Sequence, residues 1–104
     1  MAQVRWSLNA LEDLRVISAF LERVSPSLAT RFEARLLASS EVLRDFPNSG
    51  RLVTERQATD LREVVVPPYR LVYRLILDDD RVDILRIVHS RRSFSRVLDD
   101  DLGG

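Results

Sequence analysis

YRLVYRLIL, residues 69–77, is the stretch that decides the fold of this chain, and RVDILRIVH, residues 81–89, continues it. Side chains of a strand alternate between two faces, so the first run divides into two sets. One set is Leu71, Tyr73, Leu75 and Leu77, and the other is Arg70, Val72, Arg74 and Ile76. Asp78-Asp79-Asp80 separates the two runs with residues that favour turns. The pattern predicts an antiparallel hairpin of two long strands.

The second strand of this hairpin is apolar on both faces. By strict alternation one face carries Leu85, Ile87 and His89, and the other carries Val82, Ile84, Arg86 and Val88. Strands with apolar residues on both faces lie inside a sheet, because both faces are then buried. We therefore expect residues 81–89 to form a central strand.

Two helices are predicted before the hairpin. The first covers 8–24, with Ser7 or Asn9 as its N-cap. Its apolar stripe is Leu11, Leu14, Ile17, Leu21 and Val24. Ser25-Pro26 begins the second helix, and Pro47-Asn48-Ser49-Gly50 ends it. Its buried side is Leu28, Phe32, Leu36, Leu43 and Phe46. The connection is so short that the two helices should form an antiparallel pair.

The remaining segments complete an α+β domain over residues 1–104. Val4-Arg5-Trp6 is predicted to be an edge strand, and residues 61–66 a strand that Pro67-Pro68 ends. Residues 51–60 form a loop with a short strand at Leu52-Val53, residues 93–98 a short C-terminal helix, and residues 99–104 a flexible tail. The order β-α-α-β-β-β places a helical hairpin on one face of a small antiparallel sheet.

The composition excludes several classes of protein. The chain has no cysteine and one histidine, which excludes disulfides and thiol catalysis and argues against a zinc site. No apolar run approaches the roughly 20 residues that span a bilayer, and the N-terminus lacks the layout of a signal peptide. We therefore expect a cytoplasmic protein. Glycine occurs only at 50, 103 and 104, so there is no glycine-rich phosphate loop, and no cofactor or metal is expected.

The basic residues are all arginine. The sequence has sixteen of them, balanced by sixteen acidic residues. Arg62, Arg70 and Arg74 fall on the predicted sheet, and Arg91 and Arg92 lie just beyond it. Several of these guanidinium groups could converge on one anionic partner. Alternatively, they pair with Glu63, Asp83 and other acids of the same surface, and the sequence favours neither interpretation.

A further set of residues is distributed along most of the chain. The set is Trp6, Ala10, Asp13-Leu14, Ser25-Pro26, Leu43, Phe46-Pro47, Gly50-Arg51, Leu61-Arg62-Glu63, PYRLVY at 68–73 and ILRIVHSRR at 84–92. In this order and spacing, over about residues 4–94, it resembles the RelE/ParE superfamily of bacterial type II toxins. The resemblance implies the fold described above. It also implies a toxin that a small cognate antitoxin wraps and neutralises in a hetero-oligomeric complex.

The superfamily contains two mechanisms. ParE-like members poison DNA gyrase, a role associated with plasmid stabilisation, and RelE-like members cut messenger RNA in the ribosome. The Val-His-x-x-Arg pattern at 88–92 is closer to the ParE-like branch. We therefore expect inhibition of gyrase by a binding protein rather than by an enzyme. The residues expected to contact the target are Arg70, Arg74, Arg91 and Arg92.

The alternative is an endoribonuclease of the RelE type. Its site would consist of Arg62, Arg70, His89 and Arg91, with arginines holding phosphate and His89 transferring a proton. Two departures weaken it: Val64-Val65-Val66-Pro67-Pro68 stands where the RelE-type site carries lysines, and no tyrosine follows Arg91. A lone histidine in a strand more often completes a hydrogen-bond network than transfers a proton. A third interpretation is a non-toxic remnant that only binds an antitoxin.

Apolar residues beyond the buried stripes predict where the antitoxin docks. An amphipathic antitoxin helix should lie across the helical hairpin, and an extended segment should approach the sheet. The residues expected to contact it are Leu14, Ala19, Phe20 and Leu37.

Overall fold

The structure is a computed structural model that describes residues 1–53 and 60–91. Two helices pack on one face of a sheet whose described strands follow the order β1-β5-β4-β3-β2. The elements are β1 (Gln3–Trp6), α1 (Leu8–Val24), α2 (Pro26–Asp45), β2 (Arg51–Leu52), β3 (Leu61–Val66), β4 (Tyr69–Ile76), a 3-10 turn (Leu77–Asp79) and β5 (Arg81–His89). The predicted α+β class and the order of its elements are confirmed.

The long hairpin forms where alternation predicted it. β4 pairs with β5 and with β3, both antiparallel, so β4 lies at the centre of the sheet. β5 is also internal, because β1 pairs with its first half in parallel, with Val4 opposite Val82. The strand ends one residue early, and Leu77, predicted on the apolar face, is 84% exposed in the 3-10 turn. Asp80 closes this turn in the left-handed conformation, with φ 47°, which aspartate tolerates.

Helix α1 buries the middle of its predicted stripe but not the two ends. Ser7 caps it, since its Oγ accepts the backbone N–H of Ala10 at 3.0 Å. The residues that face the core are Ala10, Leu14, Ile17 and Leu21. Leu11 and Val24 are 48% and 64% exposed, so their predicted burial was wrong. Ala10 has the helical spacing of a core residue. Because an alanine side chain has a smaller apolar surface than leucine, the sequence pattern did not identify it as buried.

Helix α2 begins at Pro26 as predicted and packs against the hairpin through Phe32, Leu36 and Leu43, all buried. Phe32 contacts the ring of Tyr69 at a centroid distance of 5.2 Å, which joins the helical layer to β4. Phe46 is 64% exposed, so its predicted burial was wrong. It follows the last residue of the helix, where the chain turns away from the core.

A β-bulge in β5 changes which residues face the helices. Val72 pairs with Arg86 and Tyr73 with Ile84, so Leu85 is an extra residue in β5. The core beneath the helices therefore contains Val82, Ile84 and Ile87. A smaller cluster on the opposite face contains Val88, Val72, Val53 and Leu61, with Leu85 against it. The predicted assignment of β5 side chains to two faces by strict alternation was wrong. One inserted residue moves every later side chain of the strand to the opposite face.

Two segments of the chain carry predictions that the structure does not test. The C-terminal helix at 93–98 and the tail at 99–104 lie outside the described residues, and so does Arg92. In the described part of the chain, neither helix is both long and apolar enough to cross a membrane.

Candidate functional site

The face of the sheet opposite the helices, called the distal face below, carries most of the strand arginines. On β4 it presents Arg70 and Arg74, which alternate with the core residues Leu71 and Tyr73. The cross-strand register places Glu63 and Val65 of β3 on the same face. The sequence therefore located these arginines correctly, but it did not establish their partners.

Glu63 lies between two of these arginines. Its Oε2 accepts a hydrogen bond from Nη1 of Arg70 at 2.9 Å, and its Oε1 accepts one from Nε of Arg51 at 3.0 Å. The side chains of Glu63 and Arg70 are only 5% and 7% exposed, whereas that of Arg51 is 69% exposed. A buried ion pair is held in place because separating it would leave a desolvated charge. Arg70 is therefore engaged inside the protein.

The other arginines of β4 and β5 on this face also have carboxylate partners. Arg74 pairs with Asp60 at 3.1 Å. Arg81 bridges Asp79 and Asp83, each at 2.7 Å, and its hydrogen bond to Asp83 raises the pKa of the Arg81 guanidinium. Four arginines thus face four carboxylates: Arg51, Arg70, Arg74 and Arg81 against Asp60, Glu63, Asp79 and Asp83. Exposed Arg5 of β1 adds one cation. The pairing alternative from the sequence holds on this face.

The residues of the ribonuclease alternative do not form one cluster. Arg62 pairs with Tyr73, so it belongs to the helix-facing side, and its Nη1 donates to the carbonyl oxygens of Asn48 and Gly50 at 3.2 and 2.7 Å. Arg70 lies on the distal face. His89 pairs with Tyr69, four residues and about 13 Å along β4 from the position of Arg62.

His89 and Arg91 are the two members of that set that lie together. The backbone N–H of Arg91 donates to Nδ1 of His89 at 3.2 Å, and both residues are exposed. His89 also contacts the ring of Tyr69 edge-on, with centroids 5.5 Å apart. Asp13 and Arg86 line the neighbouring cleft, where they form a bidentate pair at 2.7 and 2.9 Å. In the described residues, no cluster of histidine and carboxylate side chains could hold a metal ion.

Tyr73 anchors the turn after α2 to the centre of the sheet. Its buried hydroxyl donates to the carbonyl oxygen of Pro47 at 2.7 Å and accepts the backbone N–H of Gly50 at 2.9 Å. Burial raises the pKa of this phenol, against smaller lowering effects of the Gly50 bond and the nearby charge of Arg62. The alternation of the strand placed Tyr73 on the same face as Leu71, and both are buried in the core.

An apolar groove lies between α1 and the end of the hairpin, and we call it the α1–β5 groove. Its volume is about 500 Å³. It is lined by Val16, Ile17, Phe20, Leu21, Pro68, Tyr69 and His89. Val16 and Phe20 are 52% and 56% exposed, although they belong to a helix that already buries another stripe. Apolar exposure concentrated beside a concave surface is typical of a docking site.

The residues predicted to contact an antitoxin are distributed differently around this groove. Phe20 lines it. Leu37, 55% exposed, lies on α2, and Ala19 is exposed on α1 but does not line the groove. Leu14 is half-buried against the core. Sequence reasoning missed Val16, Pro68 and His89 as groove residues, because only the packing of α1 beside the hairpin brings them together.

A comparison with protein families matches residues 4–94 to the ParE toxin of the type II toxin–antitoxin system parDE. Among curated proteins, the chain is 43% identical over 93 residues to "Toxin RelE2" of Caulobacter vibrioides, covering 88% of this chain and 99% of that protein. The sequence similarity extends over nearly the whole length of both proteins.

Solved structures with the same fold include toxins of both branches. A chromosomal ParDE TA system from P. aeruginosa matches with a TM-score of 0.69 at 20% identity, covering 86% of this chain and 96% of the other. The toxin–antitoxin complex RelBE2 from Mycobacterium tuberculosis matches with a TM-score of 0.61 at 23% identity, covering 85% and 96%. At these identities the likeness establishes the fold alone.

Proposed function

Because the chain belongs to the ParE toxin family of type II toxin–antitoxin systems, we propose that it inhibits DNA gyrase by binding, in the ParE manner. Its partner in the resting cell is a cognate antitoxin, and both would act in the cytoplasm. The single observation that supports this target best is the pairing of four distal arginines with carboxylates. A ribonuclease needs free cations where the phosphate lies, and here four arginines are paired with four carboxylates.

Arg91 and its sequence neighbour Arg92, which follow β5, are the proposed contacts with gyrase. Arg91 is exposed, and its side chain takes part in no ion pair within the described residues. Arg92 follows it in the sequence. Adjacent guanidinium groups can bind a carboxylate or phosphate surface through charge-assisted hydrogen bonds. Arg74, whose pair with Asp60 is partly exposed, could exchange partners more readily than buried Arg70.

The ribonuclease remains the second candidate, because one observation favours it. His89, Tyr69 and Arg86 line a common cleft, and such side chains can transfer protons and hold phosphate. However, Asp13 already occupies two nitrogen atoms of Arg86. The cleft therefore contributes no uncompensated cation of its own.

Assays of both activities on one preparation test the target. The toxin is purified with its antitoxin, separated, and added to gyrase supercoiling and to ribosome-bound transcript cleavage. We expect inhibition of supercoiling, intact transcripts, and loss of inhibition in the double variant Arg91→Ala/Arg92→Ala. Arg35→Ala, which removes an exposed arginine from α2, is the matched control. Transcript cleavage without inhibition of gyrase would overturn the proposal, and tight antitoxin binding with neither activity would support a non-toxic remnant.

We further propose that the antitoxin docks in the α1–β5 groove. The fold itself does not require exposed apolar residues at Val16 and Phe20, whereas a helical or extended peptide segment could bury them. An antitoxin partner follows from the family, and the α1–β5 groove offers it an apolar concavity of about 500 Å³.

Matched valines test this docking surface. Val16 is 52% exposed in the groove, and Val42 is 49% exposed on α2. We expect Val16→Asp and Phe20→Asp to weaken antitoxin binding by at least about tenfold, because each buries a carboxylate without a partner. Val42→Asp should leave binding unchanged, and Leu37→Asp shows whether the interface extends across α2. If the Val16→Asp and Val42→Asp variants bind the antitoxin with equal affinity, the antitoxin does not dock in the α1–β5 groove.

A further inference from the structure

His89 lies at the edge of the α1–β5 groove with its ring held in place from two sides. Tyr69 contacts the ring edge-on, at 5.5 Å between centroids and an interplanar angle of 76°. Tyr69 is itself fixed by Phe32, a buried residue of α2, at 5.2 Å. The backbone N–H of Arg91 binds Nδ1 at 3.2 Å. The imidazole therefore has a defined position although it is exposed.

The contact with Arg91 also assigns the tautomer of the ring. A backbone N–H can only donate, so Nδ1 must be an unprotonated acceptor. The proton of the neutral imidazole is then on Nε2. Among residues 1–53 and 60–91, the structure gives Nε2 no hydrogen-bond partner.

His89 belongs to a groove whose other lining residues are largely apolar. The other residues that line the groove are aliphatic or aromatic, and only Tyr69 among them has a polar side-chain atom, its hydroxyl: Val16, Ile17, Phe20, Leu21, Pro68 and Tyr69. His89 lines the groove, and Nε2 is the ring nitrogen that Arg91 does not bind, so a segment that covers the ring would remove Nε2–H from water. A buried donor without an acceptor is costly, so the occupant must supply one or bind less tightly.

We propose that His89 is the polar specificity residue of the groove and that its Nε2–H donates to an acceptor on the docked antitoxin segment. The inference rests on the proposed docking of the antitoxin. The segment it requires has apolar side chains for Val16 and Phe20 and one acceptor opposite His89, either a backbone carbonyl or the oxygen of Asn, Gln, Asp or Glu. Antitoxin segments that match the apolar surface but lack the acceptor are rejected.

Three substitutions separate the two nitrogen atoms of the ring. His89→Asn keeps an acceptor near Nδ1 for Arg91 but removes the donor at Nε2. His89→Gln places an amide N–H near the position of Nε2, and His89→Phe keeps the ring without either nitrogen. We expect His89→Asn and His89→Phe to raise the Kd for the cognate antitoxin about tenfold and His89→Gln to stay within about threefold of the wild type.

The same measurements distinguish failure of this inference from failure of the docking proposal. If Phe20→Asp weakens binding but His89→Asn and His89→Gln have the same Kd as each other, the donor at Nε2 does not contribute. The inference is then wrong and the docking site stands. If Phe20→Asp has no effect either, the antitoxin does not occupy the groove, and both are overturned.

Nitrogen NMR gives a readout that does not depend on affinity. The chain has one histidine, so ¹⁵N-labelled toxin with unlabelled antitoxin yields one imidazole spin system. For the neutral ring of the free toxin, we expect the Nε2–H tautomer. In the complex, the Nε2 proton should become protected from exchange with water. An Nδ1–H tautomer, or an unprotected Nε2 proton in the complex, would overturn the inference.

Discussion

At the scale of single residues, Tyr73 shows how one hydroxyl joins distant parts of this chain. Its two hydrogen bonds reach Pro47 and Gly50, more than twenty residues earlier in the sequence. The turn after α2 is thereby fixed against the middle strand of the sheet. Arg62 also binds this turn, because its guanidinium donates a hydrogen bond to the carbonyl oxygen of Gly50 at 2.7 Å.

Tyr73→Phe should destabilise the protein and also change its response to alkali. Loss of the hydroxyl leaves a buried N–H and carbonyl unpartnered, which costs about 1–3 kcal/mol. Burial raises the pKa of Tyr73, so its contribution to stability is complete below about pH 10, the pKa of an unfolded tyrosine, and is lost as pH rises through the higher folded value. Urea unfolding at several pH values should show a steeper alkaline decline for the wild type than for Tyr73→Phe.

The composition makes this titration unusually clear. The chain has no lysine and no cysteine, so apart from the arginines only its two tyrosines are side chains that titrate in the alkaline range. Parallel declines in the wild type and in Tyr73→Phe would show that the ionisation of Tyr73 is not linked to unfolding.

Gly50→Ala should be destabilising because of close packing. A Cβ at this position would lie 2.6 Å from Oη of Tyr73 and 2.8 Å from the backbone oxygen of Glu63. The backbone must shift to relieve these contacts, at a cost of about 1–3 kcal/mol. The urea midpoint should fall accordingly, while Ser49→Ala, an exposed neighbour, should leave it unchanged. A Gly50→Ala protein as stable as the wild type would show that the turn adapts freely.

At the scale of elements, the β-bulge of β5 depends on contacts from α1. Beyond Ile84 the strand no longer pairs with β1, and side chains of the helix and of its N-cap residue bind its edge instead. Oγ of Ser7 donates to the carbonyl oxygen of Leu85 at 2.9 Å, and Oδ2 of Asp13 accepts the N–H of Ile87 at 2.9 Å. The bulge is therefore held by residues more than seventy positions away in the sequence.

Asp13→Ala should destabilise this junction more than an exposed ion pair would. The carboxylate of Asp13 accepts from Arg86 twice and from Ile87 once, and both charged side chains are only about 15% exposed. Its removal leaves a largely buried guanidinium and an edge N–H without that partner, which we expect to cost about 2–3 kcal/mol.

Hydrogen exchange can locate this effect. The amide of Ile87 should lose protection in Asp13→Ala, while amides of β3 should lose protection only through the change in global stability. Glu12→Ala, which breaks the fully exposed pair with Arg15, serves as the control and should change neither quantity. Unchanged protection at Ile87 would show that the bulge is stable without α1.

These contacts explain how far the sequence could predict the structure. Local alternation identified β4 and β5, and a helical period identified α1, because those patterns depend on neighbouring residues. The facing of Ile84 and Ile87 could not be predicted, since the bulge depends on Ser7 and Asp13. The arginines were placed on the sheet correctly, but their pairing with Glu63 and Asp60, and the position of His89 beside α1, depend on tertiary contacts.

At the scale of the whole molecule, charge is balanced in the total and also locally. Sixteen arginines match sixteen acidic residues, and on the distal face the paired groups are four and four. A protein that binds nucleic acid through its backbone instead concentrates cations on one surface and loses affinity steeply with salt. This balance is consistent with the proposed binding to a protein target and gives no sign of a phosphate-binding surface among the described residues.

The last prediction follows from that balance: the free toxin should bind non-specific RNA weakly and with little dependence on salt. Asp60→Asn frees Arg74 on the distal face, and Glu41→Gln frees Arg44 on α2, with the same change in net charge. RNA affinity measured between about 50 and 200 mM salt should rise more for Asp60→Asn, because only that variant unmasks a cation beside the other arginines of the sheet. Tight, strongly salt-dependent binding by the wild type would mean that the distal arginines exchange their carboxylates for phosphate. In that case the ribonuclease alternative, rather than gyrase inhibition, would account for the surface.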